Sequence, residues 1–167
     1  MPPKTNKFQH FKKKAVRTFT KEAAQVVSQL AGQGRTVVDK RLDGEMHGLL
    51  RLPNGKFQFA NYMGPGTQII TRLQRGDSGL TPVDRLAKVH DIDYALATTP
   101  SDVRKADTEF IRGIRRARKQ GESTFNVRQA QLLVPKAAYE RITGRTLFND
   151  LKGPGKYKSF LLKNRRK

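Results

Sequence analysis

Residues Thr81–Tyr94 read TPVDRLAKVHDIDY, and the predicted core of the protein is built on this segment. Thr81 is typical of a helix N-cap, Pro82 of the first helical position, and Asp84 places a carboxylate at the positive helix end. Apolar residues then recur at spacings of three and four, so one face of the predicted helix is apolar and carries His90. That face comprises Val83, Leu86, Ala87, His90, Tyr94 and Ala97.

A second helix start follows at Thr98-Thr99-Pro100-Ser101, where Ser101 is the predicted N-cap. Its apolar stripe comprises Val103, Ala106, Phe110, Ile114 and Ala117, with Asp107 on the border. A connection this short folds two helices back as antiparallel neighbours. His90 lies about eight residues before the turn and Asp107 about six after it, so at about 1.5 Å per residue they reach similar heights. We therefore expect a buried histidine that faces a carboxylate.

A glycine loop, Asn61–Thr67, precedes both helices and reads NYMGPGT. Three segments together resemble the core of phospholipase A2. They are this Tyr-x-Gly-x-Gly loop, the His-Asp-x-x-Tyr segment and the later Ala-Asp-x-x-Phe segment. Gly-Pro-Gly and the lead-in Pro-x-Asp-x-x-Ala are similar to the cysteine-free viral type, found in the unique region of the parvovirus minor capsid protein. The resemblance covers about residues 58–115. The matching residues are Tyr62, Gly64, Gly66, Pro82, Asp84, Ala87, His90, Asp91, Tyr94, Ala106, Asp107 and Phe110.

The resemblance implies a calcium ion held by the glycine loop. Its ligands would be the carbonyls of Tyr62, Gly64 and Gly66 together with the carboxylate of Asp91. Calcium takes about six to eight hard oxygen ligands, and glycines let carbonyls turn inward. The ion would act as a Lewis acid on an ester carbonyl and stabilise the oxyanion.

The resemblance also implies a catalytic histidine. His90, with an unperturbed pKa of about 6.5, would take a proton from the attacking water. Asp107 would hold the imidazole in the right tautomer, and Tyr94 would donate its hydroxyl to Asp107. No serine or cysteine nucleophile is needed.

Each motif alone has a plainer interpretation. A Gly-x-Gly segment is usually a turn, a lone histidine on an apolar face is usually a core residue, and Asp91 and Asp107 are compatible with solvation or ordinary ion pairs. The order and spacing of the motifs together favour an active site.

Composition bounds the class of protein. The chain has 167 residues, no cysteine, three histidines and a formal charge of +20. The length suits one domain with a modest core, and the lack of cysteine excludes disulfides and zinc sites of the cysteine type. No apolar run reaches the roughly 20 residues of a membrane span, and the N-terminus lacks the apolar segment of a signal peptide. The charge indicates a polyanionic partner, either nucleic acid or an anionic membrane.

The fold class that we predict is mainly α: two antiparallel core helices, preceded by the calcium loop and a small β-hairpin. The segments are a basic flexible arm (1–18), an N-terminal helix and hairpin (19–60), a phospholipase-like core (61–120), a C-terminal helical segment (121–151) and a basic tail (152–167).

Local patterns place the other elements. Residues 48–60 centre on Pro53-Asn54-Gly55 and predict a hairpin that either rigidifies the calcium loop or is wholly structural. Helices are predicted over residues 20–31 and 126–143, with a helical turn over 36–42. Pro135 either kinks the last helix or starts a new one, and Gly144 is its predicted end.

Several apolar and basic segments have two interpretations. Ile69, Ile70 and Leu73, beside Arg72 and Arg75, form either a lip that sits on a bilayer or part of the core. The run Phe160-Leu161-Leu162 in the basic tail is either a docking peptide or part of a disordered end. Phe8, Phe11 and Phe19 in the basic arm suit stacking on bases, insertion into a membrane surface or packing against the domain.

Three functions follow as expectations. The first is a calcium-dependent phospholipase A2 that cleaves the sn-2 ester, used by a virus to breach an endosomal membrane. The second is a basic nucleic-acid-binding or packaging virion protein. The third is a scaffold with an inactive phospholipase-like core. The expected partners are anionic phospholipid membranes, nucleic acid through the basic tails, and capsid or other virion components, and the expected locations are the virion, the endosomal membrane and the nucleus.

Overall fold

The computed structural model describes residues 7–132, 134–143 and 149–167, and these ranges are mainly helical. They contain α1 (Lys7–Gly32), β1 (Val37–Val38), β2 (Leu49–Arg51), β3 (Phe57–Phe59), α2 (Ile69–Gln74), α3 (Pro82–Leu96), α4 (Pro100–Lys119), α5 (Thr124–Gln131), α6 (Val134–Thr143) and α7 (Lys158–Arg165). A short 3-10 helix, Gly155–Tyr157, leads into α7. No helix in these ranges combines the length and apolar character that a membrane crossing requires.

Helices α3 and α4 are the centre of the fold. Thr81 caps α3 as predicted, because its side chain accepts the Asp84 amide at 3.3 Å. The cap of α4 is Thr99, so the predicted cap at Ser101 is wrong: Pro100 takes the first helical position, and Thr99 forms a capping box with Asp102.

The two helices are antiparallel, as predicted. An early residue of α3, Leu86, packs against a late residue of α4, Gly113, while His90 meets Asp107 nearer the connection. A Cβ at Gly113 would lie 2.6 Å from the Leu86 side chain, so the glycine permits this close approach. The core between them includes Val83, Ala87, Phe110, Ile114 and Ala117.

The predicted hairpin is present as β2 and β3, and Gly55 in its turn has a φ of +79°. The predicted helical turn over residues 36–42 is wrong. Val37 and Val38 instead form β1, which pairs in parallel with the free edge of β3 and gives the sheet order β1-β3-β2. Two adjacent β-branched residues favour an extended strand where a partner edge is available.

The first helix is longer than predicted. It begins at Lys7 and not at Thr20, so residues 7–18 of the predicted flexible arm lie in α1. No glycine or proline interrupts residues 7–31, and straight-chain and alanine residues are good helix formers. The side chains of Phe8, Phe11 and Phe19 lie outside the described part of the structure.

Two open alternatives near the C-terminus have clear outcomes. Pro135 belongs to the first turn of a new helix, α6, and does not kink a continuous one. The predicted end at Gly144 lies outside the described residues. In the basic tail, residues 158–165 form α7, and Leu161 is buried against Leu73 and Ile92.

Helix α2 contributes to the core. Leu73 is buried and Ile69 and Ile70 are partly buried against the clusters around α3. Arg72 is also buried, so of the two interpretations of this segment, a bilayer lip or part of the core, the structure supports the core.

Candidate functional site

The glycine loop lies on the backbone of residues 44–48. Met46 donates its amide to Pro65 O at 3.0 Å, and Gly48 donates to Met63 O at 2.8 Å. Gly64 and Gly66 have φ values of +147° and +81°. A Cβ at Gly64 would lie 2.3 Å from Met46 O, so both the backbone angle and the close approach require glycine.

A buried carboxylate joins this loop to α3. Asp84 accepts the amides of Asn61 at 3.1 Å, Tyr62 at 3.0 Å and Leu80 at 3.0 Å. Burial raises the pKa of Asp84, although these backbone hydrogen bonds act in the opposite direction. The sequence interpretation assigned Asp84 to the helix end alone and missed that it fixes the start of the loop.

A buried arginine holds the other side of the loop. Arg72 donates to both carboxylate oxygens of Glu45, at 2.9 and 2.6 Å, to Asp77 at 3.0 Å and to the Asn61 side chain at 3.1 Å. A fully buried guanidinium is stable only when its donors are paired in this way. In the sequence, the apolar neighbours of Arg72 indicate that helix α2 faces the core.

The predicted meeting of His90 and Asp107 is present. His90 Nε2 lies 2.7 Å from Asp107 Oδ1, and the Tyr94 hydroxyl donates to the same oxygen. His90 Nδ1 lies 3.7 Å from Asp91 Oδ1. Burial disfavours the protonated imidazole, but Asp107 and Asp91 favour it more strongly, so the pKa of His90 is raised.

A lysine completes this cluster and was missed by the sequence interpretation. Lys136 of α6 is buried, with its Nζ 3.4 Å from Asp107 Oδ2, and it donates to the Tyr94 hydroxyl. It follows Asp107 by 29 residues, and only tertiary packing brings the two together. One early signal was available: Lys136 lies in an otherwise apolar part of the predicted helix.

Hard oxygen atoms gather beside the histidine. Thr67 Oγ1 lies 3.2 Å from both Tyr62 O and Gly64 O. Asp91 Oδ2 is buried and has no hydrogen-bond partner among the described residues. Carbonyl and carboxylate oxygens are the ligands that calcium prefers, so these groups fit such an ion.

Few of these oxygen atoms belong to acidic side chains. Within the described ranges no group of three or more His, Cys, Asp or Glu side chains is arranged to hold a metal. Any ion bound here would depend mainly on backbone carbonyls.

The histidine and the loop line one cavity of about 270 Å³. Tyr62, Gly64, Gly66, His90, Asp91, Tyr94 and Asp107 all contribute to it, so all seven predicted site residues come together. The remaining wall is largely apolar and includes Phe110, Ile114 and Val134. Convergent polar groups beside an apolar wall suit a ligand with a polar reacting group and a hydrocarbon portion.

Comparisons of the chain with known protein families, with curated proteins and with solved structures find no match.

Proposed function

We propose that this protein is a calcium-dependent phospholipase A2 that hydrolyses the sn-2 ester of phospholipids. One observation carries the proposal: an imidazole that is hydrogen-bonded to Asp107 and the glycine loop line a single cavity. Asp91 lines the same cavity, and its buried Oδ2, which has no hydrogen-bond partner among the described residues, supports the proposal further.

The tautomer of His90 supports its role as a general base. The carboxylate of Asp107 can only accept, so Nε2 of His90 carries the hydrogen at the 2.7 Å contact. The lone pair is then on Nδ1, on the side of Asp91. From there Nδ1 accepts a proton from water as the water oxygen attacks the ester carbon. The same proton is returned to the departing glycerol oxygen as the ester bond breaks, which gives a fatty acid and a lysophospholipid.

Asp107 stabilises the imidazolium that forms in this step. Tyr94 and Lys136 both contact Asp107 and hold its carboxylate in place. Calcium held by Tyr62 O, Gly64 O, Gly66 O and Asp91 would supply Lewis-acid stabilisation of the charge on the ester oxygen. The apolar wall of the cavity would receive the acyl chain.

The test is fatty-acid release from mixed phospholipid vesicles. His90→Asn is expected to lower the rate about 10²–10⁴-fold, the usual contribution of a general base. Chelation of calcium with EGTA is expected to abolish release by the wild-type protein, and added calcium to restore it. His10→Asn, the same substitution at an exposed position of α1, is the matched control.

Circular dichroism and thermal unfolding verify that His90→Asn retains its fold. Unchanged fatty-acid release by a folded His90→Asn protein, or release that persists in EGTA, would contradict the proposal. Because the chain resembles the viral enzymes, we also propose that it is a virion protein. It would act on the endosomal membrane during entry, together with capsid components.

A second function is favoured by a separate observation. Five cations of α4, all exposed, follow the catalytic segment within eight residues: Arg112, Arg115, Arg116, Arg118 and Lys119. Cations in a last helical turn stabilise the negative helix end, but that effect does not require five. We therefore propose nucleic-acid binding as the alternative, either beside catalysis or on an inactive phospholipase-like scaffold.

A further inference from the structure

Thr67, the last residue of the glycine loop, and His47, which contacts it, have no role in the mechanism above. His47 is fully buried, with Nδ1 2.7 Å from Ala60 O and Nε2 2.9 Å from Thr67 Oγ1. A backbone carbonyl can only accept a hydrogen bond, so Nδ1 of His47 carries the hydrogen.

The other ring nitrogen of His47 must then accept. In the neutral imidazole the single ring hydrogen is on Nδ1, where Ala60 O accepts it, so Nε2 presents a lone pair. The Thr67 hydroxyl is the donor to that lone pair, at 2.9 Å. A hydroxyl has one hydrogen, and this contact uses it.

The consequence is that several oxygens meet without a hydrogen between them. Tyr62 O and Gly64 O each lie 3.2 Å from Thr67 Oγ1, close enough to accept its hydrogen, but that hydrogen is already given to His47. The carboxylate of Asp91 also approaches the Thr67 hydroxyl, and its Oδ2 has no partner in the described ranges. Such a group of acceptors repels unless a cation lies among them.

The distances between these oxygen atoms agree with a calcium ion that they bind together. Two oxygens that each lie about 2.4 Å from one calcium ion, at an angle of about 84°, are about 3.2 Å apart. The separations of Thr67 Oγ1 from the two carbonyls have this value.

We infer that the hydroxyl oxygen of Thr67, oriented by the imidazole of His47, is a further ligand of the cation held by the glycine loop. This inference rests on the proposed calcium site and adds a side-chain ligand to its backbone carbonyls. His47 acts through Thr67 and is a positioning residue.

The experiment measures cation binding by the full-length chain and not its activity. Calcium affinity is measured by calorimetry, and Tb³⁺ serves as a luminescent probe whose decay in H₂O and D₂O counts bound water. Thr67→Val keeps the shape of the side chain and removes the hydroxyl, and Thr67→Ser keeps the hydroxyl as the matched control.

Thr67→Val is expected to weaken calcium binding about 10-fold or more, whereas Thr67→Ser stays within about 3-fold of the wild type. Bound Tb³⁺ is expected to gain about one water molecule in Thr67→Val, because water replaces the lost ligand. Equal affinity and equal water count in Thr67→Val would overturn the inference and leave the proposed function intact. A wild-type protein that binds no calcium would overturn both.

A measurement on the wild-type protein tests the inference without a variant that must fold. Nitrogen-15 NMR of the imidazole is expected to report the neutral Nδ1–H tautomer of His47 with and without calcium. The Nε2–H tautomer in the calcium-saturated protein would overturn the inference, because the Thr67 hydrogen would then be free to face the carbonyls.

Discussion

Single buried polar residues fix the geometry of the loop and the helix pair. Asp84 and Arg72 are both fully buried, and each makes several hydrogen bonds. Asp84 accepts the amides of Asn61 and Tyr62, and Arg72 donates to the Asn61 side chain, so both contact the segment before the glycines. Their burial is costly unless every donor and acceptor is paired. The loop therefore has one well-defined arrangement, in which its carbonyls and Asp91 line the same cavity.

His47 gives this region a dependence on pH. Because burial lowers the pKa of His47 from an ordinary value of 6.5 to about 4, the unfolded chain binds a proton at His47 more readily than the folded chain. Its contribution to stability is complete above about pH 6.5 and is lost as the pH falls toward 4. Between about pH 7.5 and 5.5, His47 is expected to cost the wild type about 1 kcal/mol of unfolding free energy.

Urea unfolding of the wild type and of His47→Gln at these two pH values is the measurement. Glutamine can donate to Ala60 O but does not titrate. The unfolding free energy of His47→Gln is therefore expected to fall less between the two pH values than that of the wild type. Subtracting one fall from the other removes the effects of groups that titrate in both proteins. Equal falls in the two proteins would contradict the buried, neutral state of His47.

The sequence predicted the residues of the site that depend on helical periodicity. His90, Tyr94 and Asp107 lie on apolar stripes of two helices with a short connection, so their relative heights follow from residue spacing alone. Lys136, His47 and Thr67 could not be found in this way. Their contacts with Asp107 and with the loop depend on how separate elements pack, which residue spacing does not specify.

Helix α3 packs against α4 on one side and against α2 and α7 on another. Ile92 of α3, Leu73 of α2 and Leu161 of α7 form one buried cluster. The basic tail is thus tied to the helix that carries His90 and Asp91. Arg165 of α7 strengthens this link through an ion pair with Asp93, at 2.5 Å.

Leu161→Ala is expected to destabilise the protein by about 2–4 kcal/mol, since it removes a fully buried leucine side chain. Leu162→Ala, at the exposed neighbouring position, is the matched control and is expected to change stability by less than about 0.5 kcal/mol. Urea unfolding measures both. Equal, small effects of the two substitutions would show that α7 does not stabilise the fold.

The elements that were predicted wrongly share a cause. The start of α1 and the strand at Val37 and Val38 depend on context, since strong helix formers extend a helix unless a breaker stops it, and β-branched residues pair where an edge is free. The hairpin and α3 were predicted because their turn and cap residues are strong local signals. A basic composition alone does not distinguish a disordered tail from a helix with one buried leucine.

Positive and negative charges are distributed unevenly over the molecule. The formal charge is +20, yet Asp84, Asp91 and Asp107 are concentrated around the loop and the cavity. A basic surface raises the local concentration of an anionic partner, while the carbonyls of the loop and Asp91 supply oxygens for a cation. The proposed contact of the exterior with an anionic membrane or a nucleic acid is therefore compatible with the proposed calcium site in the cavity.

The alternative function predicts steep salt dependence. If α4 binds nucleic acid, affinity for a duplex oligonucleotide is expected to fall sharply between about 50 and 200 mM salt, because each phosphate contact releases counterions. Replacing Arg115, Arg116 and Arg118 by glutamine is expected to reduce the slope of log K against log salt by about 2–3. Arg112 is left in place because it already pairs with Glu109 at 2.8 Å.

Point substitutions are preferable to deletion of the basic tail, since removing residues 152–167 would also remove the buried Leu161. The matched control replaces three exposed lysines elsewhere, Lys21, Lys40 and Lys56, by glutamine and lowers the net charge by the same amount. A larger loss of slope in the α4 variant than in this control would locate the nucleic-acid contact on α4. Equal losses of slope in the two variants would assign binding to overall charge. If the affinity of the wild type does not change with salt, nucleic acid is excluded as the partner, and the anionic membrane is left as the reason for the charge.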